Sequence, residues 1–341
     1  MQEIRKKARE RVKAKCRVCP VCNGVACAGE IPGMGGIGSG VSFQNNVAAL
    51  ARLRLALRVL HDANQPDAAL TLWGRELSMP IMAAPVGSVA LNLGSDMSDE
   101  GYSGIVLRGC LGLNVLGGVG DLPLREGFQK YMDVVARTGA GRLAIPFIKP
   151  WSRLEEVTWR MDAALKAGCD ICGMDVDGAG LPTMRNARVP VSTTPPAELA
   201  KIIAQAHQRG LKFIVKGIMT PGEAIIAADS GADAIVVSNH GGRVLDCTPG
   251  TAEVLPSIAE AVRGRLLIMM DGGVRSGADT LKALALGAEM VLICRPVMLA
   301  VHGDEENGLS RYFLLLKEQL IQAMRLTGCP DLKSVDREAL A

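Results

Sequence analysis

A histidine and an arginine stand three residues apart in Ser238-Asn239-His240-Gly241-Gly242-Arg243, directly after the apolar run Ala234-Ile235-Val236-Val237. An imidazole moves a proton near neutral pH and a guanidinium grips a carboxylate through two parallel hydrogen bonds, so the pair reads as a base beside an anchor for an acid substrate. On spacing alone, the same pair would also suit a surface loop. Three other apolar runs end in a similar way: Phe213-Ile214-Val215 in Lys216-Gly217, Leu266 to Met270 in Asp271-Gly272-Gly273-Val274-Arg275, and Val291-Leu292-Ile293 in Cys294-Arg295-Pro296. If each run is a buried strand, the polar residues leave its carboxyl end, where α/β barrels carry out their chemistry.

Short apolar runs that alternate with amphipathic stretches supply the elements to position these residues. Candidate strands are Pro80 to Pro85, Leu113 to Leu116, Leu143 to Ile148, Ile171 to Val176, Leu211 to Val215, Ala234 to Val237, Leu266 to Met270 and Met290 to Ile293. Eight such runs suit closure as a (β/α)8 TIM barrel. Helices are marked by Pro195-Pro196 ahead of Ala197 to Arg209, and by Thr220-Pro221 ahead of Gly222 to Ser230, with Gly210 and Gly231 just past their ends. An open doubly wound sheet would carry its glycine-rich phosphate loop after the first strand, whereas here such loops come late. A barrel needs about 250 residues, and the chain has 341, of which 48% are hydrophobic. The economical division is a short Cys/Gly-rich N-terminal extension over 1–45 and one barrel over 46–341.

A net charge of +3 is too small to point to nucleic acid or an anionic membrane. No apolar run reaches the ~18 residues that a membrane span needs, and the charged start Met1 to Lys15 lacks an apolar core like that of a signal peptide. The expectation is a soluble cytoplasmic protein, assembled as a homo-oligomer, whose partner is a small carboxylate molecule. Ten cysteines in such a compartment read as thiols or ligands, not as a disulfide framework.

The segments VKGIMT, VSNHGGRVLD, DGGVRSG and KALALGA followed by RP, in this order and spacing from about Phe213 to Val297, resemble the C-terminal half of the FMN-dependent α-hydroxy-acid oxidase and dehydrogenase family. The N-terminal third is much less similar. The resemblance implies an FMN oxidoreductase that converts a small 2-hydroxy acid, lactate-like or glycolate-like, to the 2-oxo acid. It assigns His240 as the base, Asp177 as the carboxylate that orients it, Arg243 as the carboxylate anchor, and Lys216 as the cation beside the flavin's N1 and C2 oxygen edge. Asp175 and Asp177 flank Val176, so strand alternation puts both on one side at the barrel mouth; a helix-capping role is the other reading of Asp177. The flavin would rest against Ala84, Pro85, Val86 and Gly87, with Gly117-Gly118 in the corresponding place after the second strand and Ser238 nearby. Its phosphate would be held by Asp271, Gly272, Gly273, Arg275, Cys294 and Arg295, through close backbone approach and charge. The family usually has Gly where Cys294 stands. Two substrate-facing tyrosines of the family have no counterpart, since the chain's tyrosines are Tyr102, Tyr131 and Tyr312. The third strand leads instead into Lys149-Pro150-Trp151, and Arg185 is the candidate for a second substrate arginine. Alternative readings are an isomerase resembling type 2 isopentenyl diphosphate isomerase, disfavoured by the His-x-x-Arg pair, and a non-enzymatic flavoprotein.

One further constellation is independent of that resemblance: Cys16, Cys19, Cys22 and Cys27, with spacing C-x2-C-x2-C-x4-C, ahead of the run Gly33-Met34-Gly35-Gly36-Ile37-Gly38-Ser39-Gly40. Four thiols within twelve residues resemble a bacterial ferredoxin run, although the last gap is one residue longer and no proline follows. Three readings stand side by side: a [4Fe-4S] cluster serving an enzyme with a different substrate, a closed zinc site, and unliganded thiols in a glycine-rich lid.

Overall fold

The computed structural model describes residues 1–12 and 15–341. Its centre is a closed barrel of eight parallel strands: β1 (Ile81–Ala83), β2 (Gly117–Val119), β3 (Ala144–Ile148), β4 (Ile171–Asp175), β5 (Lys212–Ile218), β6 (Ala234–Val237), β7 (Leu267–Met270) and β8 (Met290–Ile293), with β8 pairing back onto β1. Helices follow the strands on the outside, among them Pro196–Gln208, Pro221–Asp229 and Gly277–Ala285.

Strand alternation sorts the core into two layers. Met82, Ile145, Phe147, Ile214, Val236, Met269 and Leu292 form one apolar cluster inside the barrel, while their neighbours Ile81, Ile148, Val215, Ile235, Met270 and Val291 pack outward against the helices. Two residues further along the inward parity, the barrel interior turns polar. Phe147 is succeeded by Lys149, Ile214 by Lys216, Val236 by Ser238, Met269 by Asp271 and Leu292 by Cys294. The functional layer is therefore the last layer of the core stack, at the carboxyl end. The other end is closed by an antiparallel hairpin, Leu70–Leu72 with Arg75–Leu77, whose Leu72 and Leu77 join the interior cluster.

Seven of the eight expected strands lie within a few residues of those observed; the second does not. Leu113 ends the helix Asp99–Leu113, Asn114 caps it in the left-handed region, and the strand is Gly117–Val119. Glycine disfavours strands, so the run Leu113 to Leu116 attracts the assignment that belongs to Gly117-Gly118. A Cβ on Gly118 would lie 2.5 Å from the Pro85 nitrogen, so the first two strands meet backbone to backbone there.

The N-terminal segment is also more integrated than an appendage. Helix Gln2–Arg11 buries Ile4 and Ala8 against helix Arg295–Thr327, which is broken at Asp304 and Glu305. The expected boundary at 45/46 falls inside the continuous helix Val41–Arg52, whose Asn46 bonds to Asn239 on the loop after β6. Among the described residues, no helix is long and apolar enough to cross a membrane.

Candidate active site

One cavity at the carboxyl end of the barrel gathers residues that are far apart in sequence: Pro85, Val86, Gly87, Asp121, Lys149, Asp175, Lys216, His240, Arg243, Asp271, Gly272, Gly273, Arg275, Cys294 and Arg295. Its charges fall into two halves.

In the first half, cations and anions are matched. Lys149 Nζ donates to Asp175 Oδ2 at 2.6 Å, and Lys216 Nζ lies 3.1 Å from Asp175 Oδ1 and 3.4 Å from Asp271 Oδ2. The Lys216–Asp175 contact is a charge pair without a directed hydrogen bond, since Asp175 Oδ1 has no hydrogen-bonding partner. Burial opposes the charge on Lys216, but attraction to Asp175, Asp271 and Asp177 outweighs it and holds the ammonium above the usual lysine range. Burial likewise works to raise Asp175, and the ammonium groups of Lys149 and Lys216 overcome it and hold the carboxylate below its usual range. Both charged forms persist only because they share the site, as expected of a buried pair. Beside them, Asp177 Oδ1 stands 2.9 Å from His240 Nδ1. That contact leaves the other ring nitrogen of His240 for the cavity. Donor atoms of Asp175, Asp177 and His240 come within 4.8 Å of one another. Two ammonium groups already neutralise Asp175, so the trio works as an ion-pair network around an imidazole.

The loop that carries His240 is held from below. Asn239 Oδ1 accepts from Gly242 N at 3.0 Å and from Asn46 Nδ2 at 2.8 Å, and His240 N donates to Ser238 Oγ at 3.1 Å. His240 has φ 55 and Gly242 φ 77, and a Cβ on Gly242 would come within 2.4 Å of the Phe43 nitrogen. A histidine held in the left-handed region is strained, and the surrounding bonds must over-determine it.

The second half holds cations with no carboxylate partner among the described residues. Arg243 donates to Asn92 Oδ1 at 2.9 Å and to Gly33 O. Arg295 donates to the carbonyls of Met34, Gly35 and Gly241 and stacks 3.7 Å from the Phe43 ring centroid. Arg275 keeps a buried Nε without a partner. Burial and then repulsion by Arg295 push the Arg243 guanidinium down to about 10; burial lowers Arg295 as well. Gly272 and Gly273 have φ 90 and 84, and a side chain on Gly273 would strike Asn46 O at 2.2 Å. Cations without carboxylate partners among the described residues, Arg295 buried and Arg243 and Arg275 half-buried, beside a backbone cradle suit an anionic group such as a phosphate monoester. Cys294 lines this half, and burial raises its thiol pKa.

Several residues stand apart from these expectations. Arg185 is exposed on helix Pro182–Asn186, which turns Thr183 and Met184 into the cavity instead. Arg185 itself is not in the lining. Asp177 belongs to a short 3-10 turn, Val176–Gly180, so its place beside His240 is set by that turn and not by strand alternation. None of Tyr102, Tyr131 and Tyr312 is in the lining. Sequence reasoning assigned no role to Lys149 and passed over Asp121. Asp121 accepts from Lys149 N at 2.9 Å, Trp151 Nε1 at 2.8 Å and Arg160 Nε at 2.8 Å, with Arg160 stacked 4.0 Å over Trp151. The inward parity of β3 was the available signal for Lys149; Asp121 had none. Cys16, Cys19, Cys22 and Cys27 border a separate, smaller cavity.

The fold and site define a barrel enzyme with an anion cradle after its last two strands. The FMN-dependent dehydrogenase family model matches residues 33–99 and 137–341, and the chain belongs to that family. It is an FMN-dependent oxidoreductase. Among curated relatives, the 4-hydroxymandelate oxidase of Amycolatopsis orientalis is 32% identical over 89% of this chain and 90% of its own, and a peroxisomal (S)-2-hydroxyacid oxidase of Arabidopsis thaliana is 29% identical over 87% of each. A crystal structure of mandelate oxidase with benzoyl-formic acid superposes with a TM-score of 0.81 at 27% identity, covering 100% of this chain and 97% of that one. The unmatched stretch between the two family segments, 100–136, contains β2.

Proposed function

We propose that this protein oxidises a small 2-hydroxy acid to the 2-oxo acid, with His240 as base and Arg243 as the substrate's carboxylate anchor. The observation that carries the reading is the 2.9 Å Asp177–His240 contact in the same cavity as Arg243 and the glycine cradle. When bound, FMN supplies a two-electron acceptor that takes a hydride equivalent. The protein's residues provide the rest. His240 takes the hydroxyl proton on its cavity-facing nitrogen. Asp177 holds the opposite nitrogen and stabilises the resulting imidazolium, as an orienting carboxylate does in a triad. The Arg243 guanidinium, half-buried and without a carboxylate partner among the described residues, gains one when a carboxylate arrives. Lys216 would supply a fixed positive charge to stabilise negative charge on the cofactor when it is reduced. Gly272, Gly273, Arg275 and Arg295 would hold its phosphate, and Pro85, Val86 and Gly87 would support its ring.

The substrate differs in kind from one gripped by tyrosine hydroxyls. Met34, Leu181 and Met184 line the cavity, and Lys149 is committed to Asp175. An apolar wall of this kind accepts an aliphatic or aromatic substituent, with the Thr183 hydroxyl beside it in place of tyrosine hydroxyls. Anaerobic mixing of the FMN-loaded protein with L-lactate, glycolate and (S)-mandelate tests the reading. Bleaching of the flavin with matched formation of the 2-oxo acid is expected, strongest for mandelate. Bleaching by none of a broad panel of 2-hydroxy acids overturns it.

A further inference from the structure

The arginine wall of the flavin cavity has another side. A second, smaller cavity lies there, lined by Cys16, Cys19, Cys22 and Cys27, and it shares Met34 and Arg295 with the first. We propose that these four cysteines hold a [4Fe-4S] cluster, which carries the flavin's electrons one at a time to a soluble one-electron carrier protein.

The loop is built around its sulfurs. Arg5 donates to Cys19 O at 2.7 Å and Pro20 O at 2.9 Å, Arg9 to Val18 O at 2.9 Å, and Arg275 to Cys22 O at 3.3 Å. Loop carbonyls are thereby occupied, and the four thiols, all half-buried and none in a disulfide, are left to the enclosed space. Donors already aim at two of the sulfurs: Val18 N at Cys16 Sγ, 3.4 Å, and Arg275 Nη2 at Cys22 Sγ, 3.9 Å. N–H groups directed at thiolate sulfur are how a protein stabilises and tunes an iron–sulfur centre.

Spacing separates a cluster from zinc. Closed four-cysteine zinc sites are usually built from two pairs of ligands across a longer loop, whereas here three cysteines recur at every third position. A cubane suits such a run, because each thiolate binds a different iron. The spacing Cys16-x2-Cys19-x2-Cys22 then has the register of a cluster run, and the longer gap to Cys27 is spanned by a loop closed on Phe43, against which Gly24 packs. Charge agrees. A cluster with four thiolates is an anion, and Arg275 and Arg295 reach this side of the wall with no carboxylate partner among the described residues.

The cluster site stands on the cysteine loop alone, while the relay rests on the oxidation proposed above. Substrate oxidation puts two electrons on the flavin. Each in turn reduces the cluster from its 2+ to its 1+ state and leaves to the carrier before the next, the flavin's protons going to solvent. A wall one residue thick, Met34 and Arg295, separates donor from relay.

Anaerobic isolation of the full chain, with FMN, iron and acid-labile sulfide measured separately, tests the site. Four irons and four sulfides per FMN are expected, with a paramagnetic signal on dithionite reduction. Cys19→Ser should lose iron while keeping FMN, and Cys16→Ala serves if Cys19→Ser does not fold; Cys247→Ser, at an exposed thiol elsewhere, should keep both. Stoichiometric zinc, or metal-free FMN-loaded protein with all four thiols open to alkylation, overturns the site. For the relay, dithionite-reduced protein is mixed with cytochrome c as one-electron acceptor. Reoxidation about tenfold slower in Cys19→Ser than in wild type is expected, corresponding to about 1.4 kcal/mol in the barrier, and equal rates overturn the relay. No hydroxy acid enters either measurement, so failure of the substrate reading leaves both outcomes legible.

Discussion

The two halves of the barrel-mouth cavity differ in how their charges are balanced. Around His240 the protein supplies both signs itself: Lys149 and Lys216 against Asp175 and Asp271, and Asp177 against the imidazole. Around Arg243, Arg275 and Arg295 the described residues supply only cations, which bond to carbonyls and an asparagine and leave Arg275 Nε without a partner. A balanced network fixes geometry in advance and resists change, whereas an unbalanced one stores a desolvation cost that an incoming anion relieves. The first half is thus suited to carrying out a reaction and the second to binding its anionic participants. Substitutions in the first half should change rates with ligands still held, and substitutions in the second should release ligands with the chemistry intact.

The largest effect should come from His240→Ala. Loss of a general base costs roughly 10²–10⁴-fold in rate, so flavin reduction by the best substrate should fall by that factor while FMN content stays at one per chain. Reduction at the wild-type rate would make His240 a structural loop residue. Asp177→Asn should follow with a smaller loss in the rate of flavin reduction, because the asparagine still reaches the ring but no longer stabilises its protonated form. Anaerobic stopped-flow reduction reads both, and an unchanged rate for Asp177→Asn would reduce the 2.9 Å contact to packing.

Both halves were partly legible in the sequence, for different reasons. Strands such as Ala234–Val237 and Met290–Ile293 are continuous apolar runs because both faces are buried, and a polar residue at the end of such a run marks the barrel mouth. That is how Lys216, His240, Asp271 and Arg295 could be placed. β2 was misplaced because its backbone packs too closely against the first strand for side chains, leaving Gly117-Gly118 without an apolar pattern. Lys149 carries a signal in its parity, two residues beyond Phe147, but needs the knowledge that Asp175 faces it. Asp121 lies on an irregular segment and Asn92 on the five-residue helix Val89–Leu93, neither long enough in pattern for a periodicity to assign a direction, and Arg185 shows the converse: a residue in the right loop whose helix turns it outward.

In the unbalanced half, Arg295→Met and Arg275→Met test whether the cations bind FMN. A buried hydrogen bond to a charged group is worth about 1.5–3 kcal/mol, so each substitution should weaken FMN retention by roughly 10–150-fold, measured by fluorescence of released flavin on dilution. Because removing Arg295 also relieves repulsion within the wall, its effect should be the smaller of what the range allows. Full FMN occupancy in the double variant would mean that the glycine cradle alone holds the phosphate.

The smallest effect, and the sharpest discriminator between the halves, belongs to Arg243. Its guanidinium is pushed down to about 10 by burial and by Arg295, so the folded protein holds this charge at a cost that persists at every pH below that value. A bound carboxylate offsets the cost, and affinity for a carboxylate inhibitor such as oxalate should therefore be flat through neutrality and fall as pH rises through about 10, where the cation is lost. Arg243→Lys keeps a charge but replaces a planar fork with a point donor that cannot make two parallel bonds. The loss of one such bond, about 1.5 kcal/mol, corresponds to roughly tenfold weaker oxalate binding by flavin-difference titration, with the limiting rate of flavin reduction changed much less. If the limiting rate collapses while oxalate affinity holds, Arg243 acts on the reaction itself, and the division of the cavity into a reacting half and a binding half fails at that residue.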